Sequence, residues 1–459
     1  VYRFSIPPIA FPPAAPIAYV GGGSVRDLLL GRQPVDLDIA VAEDPAGYAR
    51  AIADRTGTRV VIMGKPGQTV FRVASRIILY DVTPLKNGRI EDDLRARDFT
   101  VNAMACDLQS FKIIDPLNGR RDMAARRLRM VAKQAFKNDP LRLLRAYRMA
   151  ATLGFEIEAE TRAAIKQAAF LICKPAGERI RAELLQLLAS PDSRRLIGLM
   201  ATDRLLTAIF PEMQAMVGCR QNKHHDYDVF DHTLYAYAAL EEIINTAAGL
   251  DPHLAARYTA ETAPATAMLK YAMLLHDIGK PETRTIDPDG RTRFTGHAGR
   301  SAQMAVDINQ RLRLSRPEAD QAEAIIRQHI RPLDLFSAHR QRNLSPRAIH
   351  RFFRVCDPWS VDILLHALGD RGGKRKAPPS ANDGFTEFIE GLIHYYFETY
   401  RPALAAAPLL RGNDLIRHFG LKPGPAIGSL LDQVEEERLT GKLQTRQAAL
   451  EFVRHKLDD

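Results

Sequence analysis

The sequence predicts an α+β protein: an N-terminal part mixing sheet and helix, then an all-helical remainder. Three features predict it. The apolar runs Val35–Val41 and Ile77–Val82 carry acid and lie among glycine and proline breaks. Asp115-Pro116-Leu117-Asn118-Gly119 forms a turn cluster. Beyond it helical spacing takes over: Arg142, Arg145 and Arg148 fall three apart, leaving Leu141, Leu144 and Met149 to face inward.

The first element is a glycine turn, Gly21-Gly22-Gly23-Ser24, leading into the helical stretch Val25-Arg26-Asp27-Leu28-Leu29-Leu30, which Gly31 ends. Ser24 is expected to cap this helix. Its free N–H groups and positive dipole end favour phosphate, and Arg26 adds a fixed charge in the first turn. The next element is the strand Val35-Asp36-Leu37-Asp38-Ile39-Ala40-Val41. Residues i and i+2 share a face, so the strand is expected to bury its aliphatics and point Asp36 and Asp38 the other way. Two like charges at one spot are costly unless a cation neutralises them, and Mg2+ takes one or two carboxylates plus substrate phosphates. Asp81, in the next acidic run, is the third carboxylate. Alone, a glycine turn is only a turn, and an Asp-Leu-Asp strand is ordinarily a solvated sheet face. Together in one strand–turn–helix–strand unit they point to a nucleoside triphosphate held with Mg2+.

These residues carry a resemblance. Residues 18–185 resemble the class II tRNA nucleotidyltransferases and bacterial poly(A) polymerases of the polymerase β superfamily. The pattern GGxVRDxLLG is matched by Gly22 to Gly31 and DxD by Asp36 and Asp38; RRDFTxNA is matched from Arg97 to Ala103, with Ala96 replacing its first Arg. EDxxRxxR is matched by Asp139, Arg142 and Arg145, with Asn138 replacing the Glu and Arg148 extending the face; Gly177–Leu184 resembles the last neck motif. The resemblance implies a nucleotidyltransferase palm with Asp36, Asp38 and Asp81 as catalytic carboxylates around Mg2+. It implies nucleotide contacts from Gly22, Gly23, Ser24, Arg26, Arg97, Asp98, Asn102, Asp139, Arg142, Arg145 and Arg148. Asp139 and Arg142 would read the base edge of CTP or ATP, since a carboxylate accepts from a base amino group and a guanidinium donates to ring nitrogen and carbonyl. Read locally, Asp139-Pro140 is equally an N-cap followed by proline at the first helical position.

The net charge is +10, and between Asn118 and Arg148 ten Lys or Arg face only Asp122 and Asp139. Charge runs are commonly solvated helix faces. Here Arg126, Arg127, Arg129 and Lys133 adjoin the proposed base-reading helix and, with Arg179 of the neck motif, are candidates for a tRNA acceptor end bound in a salt-sensitive way.

A second constellation begins at His224: Phe230-Asp231-His232-Thr233, then Leu275-His276-Asp277-Ile278-Gly279-Lys280, Gly296-His297, Gln328-His329 and Gly369-Asp370. It resembles an HD-domain phosphohydrolase. The resemblance implies His232, His276, Asp277 and Asp370 as ligands of a transition metal or Mg2+, with His297 and His329 suited to a second ion.

The bounds are those of a multidomain globular chain: 459 residues, 46% apolar. The expected division is 1–117 palm, 118–222 neck and body, 223–370 HD domain and 371–459 linker and helical tail. The linker reading rests on Gly372–Ser380, and the segment from Gly420 to Gly428 opens a tail helix. Cys106, Cys173, Cys219 and Cys356 lie far apart without CxxC, which fits packing in a reducing cytoplasm. No apolar run reaches the ~18 residues of a membrane span, residues 1–16 lack a signal pattern, and the first residue is Val, not Met, which leaves a start upstream open. The expected activity is addition of CMP, AMP or both to the 3′ end of tRNA. Only residues 82–96 separate Asp81 from Arg97, shorter than in CCA-adding relatives, so full CCA addition, CC addition and poly(A) synthesis stay open. The rivals are an HD phosphohydrolase that keeps the palm as a scaffold and a purely RNA-binding protein, the latter disfavoured by the three carboxylates.

Overall fold

The computed structural model describes residues 12, 17–64, 69–221, 226–246, 254, 263–374, 384–439 and 441–458. His224, residues 1–16 apart from Pro12, and residues 375–380 of the expected linker lie outside them. The chain forms two compact units, residues 1–187 with 199–209, and residues 188–198 with 210–459.

The first unit is built on a seven-stranded sheet: β1 (Ala18–Gly21), β2 (Asp36–Val41), β3 (Val60–Met63), β4 (Val70–Ala74), β5 (Leu79–Pro84), β6 (Ala105–Asp107) and β7 (Ile113–Ile114), in the order β3-β4-β5-β2-β1-β6-β7. β2 and β5 run parallel; every other neighbouring pair is antiparallel. Helix α1 (Gly23–Leu29) joins β1 to β2, α2 (Pro45–Thr56) joins β2 to β3, and α3 (Ile90–Arg95) follows β5.

Leu37, Ile39 and Val41 of β2 are fully buried, as is Val82 of β5, and α2 packs against β2, β4 and β5 through a stripe of Tyr48, Ala49, Ile52 and Ala53. Burying three such side chains is worth about 2 kcal/mol each. A one-residue slip would put them in water and the aspartates in the core, so the register is fixed. Val35 breaks the expected pattern: it precedes the strand and is 87% exposed. On the other face Ala40 joins Leu85, Ile90 and Leu94 in a small core, so α3 is seated beside the strand positions that carry the acids.

After the sheet come α4 (Gly119–Ala124), α5 (Gln134–Asn138), α6 (Arg142–Leu153), α7 (Ala159–Ala168) and α8 (Gly177–Leu188). α6 has the predicted stripe: Leu143, Leu144, Ala146, Tyr147, Met149 and Ala150 are buried. Its middle is anchored by Asp203, which accepts from Tyr147 at 2.7 Å and twice from Arg162 of α7 at 2.9 Å.

Within the second unit, Ser360–Gly372 is buried at every position from Ser360 to Asp370. A helix buried all round belongs at a centre, and this one packs against Val229–Thr246, Ala263–Leu275 and Arg316–Gln328. A buried ion pair, Lys270 with Glu241 at 2.6 Å, is completed by Ser193 N–H and Arg194 N–H donating to Glu241. The tail helices Gly412–Phe419, Pro425–Leu439 and Arg446–Asp458 enclose a core of their own around Leu415, Leu430, Val434 and Val453. Among the described residues no helix is long and apolar enough to cross a membrane.

Candidate active site and metal centre

Asp38 of β2 is the register partner of Asp81 of β5, and Asp36 is the partner of Leu79. Parallel partners project to the same side, so all three carboxylates leave one face of the sheet. Burial pushes the Asp38 carboxyl up, and the charges of Asp36, Asp81 and Asp93 add to this against the opposing pull of Arg97. A cation is what such a group lacks, and an oxygen-only donor set suits Mg2+. Asp81 accepts from Arg72 through both oxygens, at 2.7 and 2.6 Å.

The glycine turn is shaped around a guanidinium. Gly22 has φ +73°, and a Cβ there would fall 2.2 Å from Arg97 Nη1 and 3.1 Å from Asp38 Oδ2; one on Gly21 would fall 2.9 Å from Arg97 Nη2. Only glycine accepts both the left-handed backbone and this approach. Arg97 is held from behind by Asp93 at 3.1 Å, one helical turn earlier. Arg26 donates to Asn102 Oδ1 at 2.6 Å and to Asp27 at 2.9 Å. Ser24 does not cap α1. The N-cap is Gly22 without a side-chain bond, and the buried Ser24 hydroxyl donates to Asp36 C=O at 3.1 Å and accepts from Asp38 N–H at 3.2 Å. It therefore ties the turn to the strand that carries the acids, a consequence of the tight crossing that the capping rule does not foresee.

The second wall is an arginine ladder. Arg142 donates to Ala96 C=O at 3.0 Å and to Arg97 C=O at 3.3 Å. Arg145 reaches Asp98 at 3.3 Å and Glu183 at 3.1 Å, and Arg148 reaches Glu183 at 2.5 Å. Burial would raise the Asp98 carboxyl, but Arg145, the Asn102 amide, the Phe99 N–H and Arg142 hold it below the usual range. Asp139 ends α5, and its Oδ1 accepts from Leu141 N–H at 3.3 Å, the bond an N-cap aspartate makes ahead of α6, while its other oxygen meets Arg179 at 3.2 Å. Among the basic candidates, Arg127 and Arg129 are turned onto the buried Asp122 at 3.0 and 2.8 Å. Lys133 pairs at the surface with Glu160 at 3.4 Å, and Arg126 is exposed in a left-handed turn.

The His and Asp residues of the second unit do converge. Asp277 Oδ2 lies 3.4 Å from His232 Nε2 and 3.2 Å from His276 Nε2, and its Oδ1 lies 3.3 Å from His297 Nε2 and 3.9 Å from His329 Nε2. Asp370 Oδ1 is 3.0 Å from His232 and 3.8 Å from His276. In each of these four histidines Nδ1 faces a backbone carbonyl: Gly373 at 3.1 Å, Met273 at 2.8 Å, Phe294 at 2.7 Å and Ile326 at 2.7 Å. A carbonyl only accepts, so Nδ1 carries a proton in each ring, and the Nε2 lone pair would be the one offered to a bound cation, the tautomer of a metal ligand. The result is two sets, His232–His276–Asp277 and Asp277–His297–His329, sharing one carboxylate, whose donor atoms suit a divalent metal. Burial pushes His276 down, but Asp277 and Asp370 outweigh it and raise it to about 9; burial and the adjacent His276 push His329 to about 3.

Four residues at these sites escaped the sequence reading. Asp93 stands four before Arg97, and His366 four before Asp370, so helical spacing could have found both. His366 is fully buried, with ring centroids 5.0 Å from His276 and 5.6 Å from His329, and no hydrogen bond at either nitrogen. Glu183 lies inside a motif that was read for its arginine. Arg72 gave no local signal.

The family models agree with this layout. The poly A polymerase head domain matches residues 18–129, the probable RNA and SrmB-binding site of polymerase A 154–216, the HD domain 229–351 and the putative tRNA nucleotidyltransferase domain 2 406–453. Among relatives, the A-adding tRNA nucleotidyltransferase of Deinococcus radiodurans is 34% identical over 97% of this chain and 96% of its own. The CC-adding tRNA nucleotidyltransferase of Thermus thermophilus is 33% identical over 95% and 93%. In fold the chain is similar to the Thermotoga maritima CCA-adding enzyme complexed with tRNA, with TM-score 0.64 at 22% identity over 96% of this chain and 91% of that one. A likeness of this extent to relatives above 30% identity is decisive: the chain is a nucleotidyltransferase and belongs to the class II tRNA nucleotidyltransferases, whose head is that of poly(A) polymerase, with an HD domain later in the sequence.

Proposed function

We propose that this chain adds CMP or AMP, drawn from CTP or ATP, to the 3′ end of tRNA at the face of the sheet bearing Asp36, Asp38 and Asp81. The observation that carries the reading is Arg97 lying over Gly21 and Gly22 beside Asp38, a cation on a glycine turn where a triphosphate can approach the backbone. Asp36 and Asp38 would hold Mg2+, which when bound supplies charge neutralisation for the α-phosphate and the departing pyrophosphate. Arg26 and Arg97 hold the triphosphate oxygens. The terminal 3′ oxygen of the tRNA attacks the α-phosphorus, its proton passes toward Asp81, and the bond to pyrophosphate breaks. Asp139 and Arg142 present an acceptor and donors to the base edge, and the bonds from Arg142 to Ala96 C=O and Arg97 C=O couple base reading to the triphosphate arginine. Arg145 and Arg148 brace that wall through Glu183, while Arg126, Lys133 and Arg179 offer charge to the RNA.

Incubation of the protein with tRNA ending at the discriminator base, and with tRNA ending in CC, tests the reading. Each is given CTP, ATP or both, and the products are sequenced. Extension of either tRNA supports it, and the added residues identify full CCA, CC-only or A-only synthesis. Absence of extension under every condition refutes it.

A second reading is favoured by the four histidines with Nδ1 fixed by carbonyls: the HD centre hydrolyses phosphate esters at RNA ends or in cyclic nucleotides. Divalent-dependent phosphate release that survives Asp36→Ala and disappears in His276→Ala is the expected signature; release lost in Asp36→Ala instead refutes it.

A further inference from the structure

Arg72 belongs to no motif, yet its partner is the third carboxylate. Arg72 and Asp81 are register partners on the antiparallel β4–β5 ladder, so their side chains leave the same face. Arg72 Nε lies 2.7 Å from Asp81 Oδ1 and Nη2 lies 2.6 Å from Oδ2. This is a bidentate fork that occupies both oxygens. The Asp81 side chain is 14% exposed and that of Arg72 35%, so the pair is shielded on the acid's side and open on the arginine's. Asp38 lies directly across the β2–β5 ladder, and the charges of Asp36 and Asp38 also reach Arg72.

We propose that Arg72 is a positioning residue for nucleotidyl transfer: its fork fixes the orientation of Asp81 and competes with the divalent cation for the two Asp81 oxygens. The inference rests on reading Asp81 as the third carboxylate of the site. It accounts for a third carboxylate that shares the face of Asp36 and Asp38 while both its oxygens are engaged by a guanidinium. The guanidinium supplies part of the charge balance that Mg2+ supplies in the chemistry, and an ion recruiting Asp81 must draw an oxygen from the fork. Lysine cannot reproduce this, because it keeps the charge and loses the two-point geometry.

The test is a Mn2+ titration of the full chain, with free Mn2+ read by electron paramagnetic resonance, on wild type, Arg72→Gln, Arg72→Lys, Asp81→Asn and the Arg72→Gln/Asp81→Asn double variant. Single-turnover nucleotide incorporation is measured in parallel. Arg72→Gln is expected to bind Mn2+ roughly tenfold more tightly while kcat falls by a similar factor and KM for nucleotide holds, and Arg72→Gln should add little once Asp81 is Asn. Arg72→Lys should fall between wild type and Arg72→Gln in both readouts, and it carries the test where Arg72→Gln does not fold. Equal tightening in the Asp81→Asn background means that Arg72 acts through the general field and overturns the proposal, as does wild-type Mn2+ affinity in both Arg72 variants. Asp81→Asn with unchanged Mn2+ binding and unchanged incorporation is a separate result, one that removes the reading of Asp81 itself.

Discussion

Asp38 and Asp81 stand opposite each other in the parallel β2–β5 ladder, and each acid has its own guanidinium: Arg97 beside Asp38 and Arg72 forked onto Asp81. The face therefore pairs acids with arginines before any substrate arrives. Charge brought by a triphosphate and its cations redistributes an existing balance.

Asp36→Ala and Asp38→Ala should each lower single-turnover incorporation by about a thousandfold or more, the scale of lost metal and electrostatic stabilisation of the transition state. Because burial and like charges push Asp38 up, losing its charge relieves repulsion. The thermal midpoint of Asp38→Asn in divalent-free buffer should equal or exceed that of wild type, which separates lost chemistry from lost folding.

Gly22→Ala forces a Cβ to within 2.2 Å of Arg97 Nη1 at a backbone φ of +73°. The left-handed penalty alone is about 1–2 kcal/mol. Displacing Arg97 should also raise KM for the nucleotide roughly tenfold, as read from steady-state kinetics beside a denaturant titration.

Asp98 gives a pH dependence with a definite sign. Its carboxyl is depressed below 3.8 by Arg145, Asn102, Phe99 N–H and Arg142 despite burial. Its stabilisation is therefore present above the unfolded value and lost as pH falls through the folded one. Asp98→Asn should cost about 2 kcal/mol at neutral pH. That difference should shrink as urea titrations move below pH 3.8.

Arg129→Ala should cost about 2 kcal/mol of unfolding free energy, because Asp122 is 1% exposed and loses one of its two guanidinium partners. The figure stays below that for a sealed pair because the Arg129 side chain is 32% exposed. tRNA affinity of this variant, measured by filter binding at two salt concentrations, should fall less than that of Arg126→Ala, whose side chain is exposed.

His276→Ala should remove divalent metal from the second unit, read by elemental analysis after gel filtration of the full chain. Phosphate release should fall below detection in the same preparation. Retained metal stoichiometry would contradict the ligand assignment.

The sequence alone determined whatever depends on neighbours along the chain. The i, i+2 period put Asp36 and Asp38 on one face, the glycine run announced the turn, and a three-residue spacing put Arg142, Arg145 and Arg148 along one side of a buried helix. The adjacency of His276 and Asp277 marked the candidate metal centre. Tertiary structure decided every pairing across the chain, because a hydrogen bond or ion pair is set by distance in space. Strand order set Arg72 against Asp81, although neither carries a mark of the other. A tight crossing turned Ser24 from an expected cap into a brace for β2. A buried Asp122 claimed Arg127 and Arg129, which in sequence look like free basic charge. Burial of Ser360–Asp370 on all sides carried His366 beside His276 and His329, where desolvation disfavours its charged form, which its place in the sequence does not disclose.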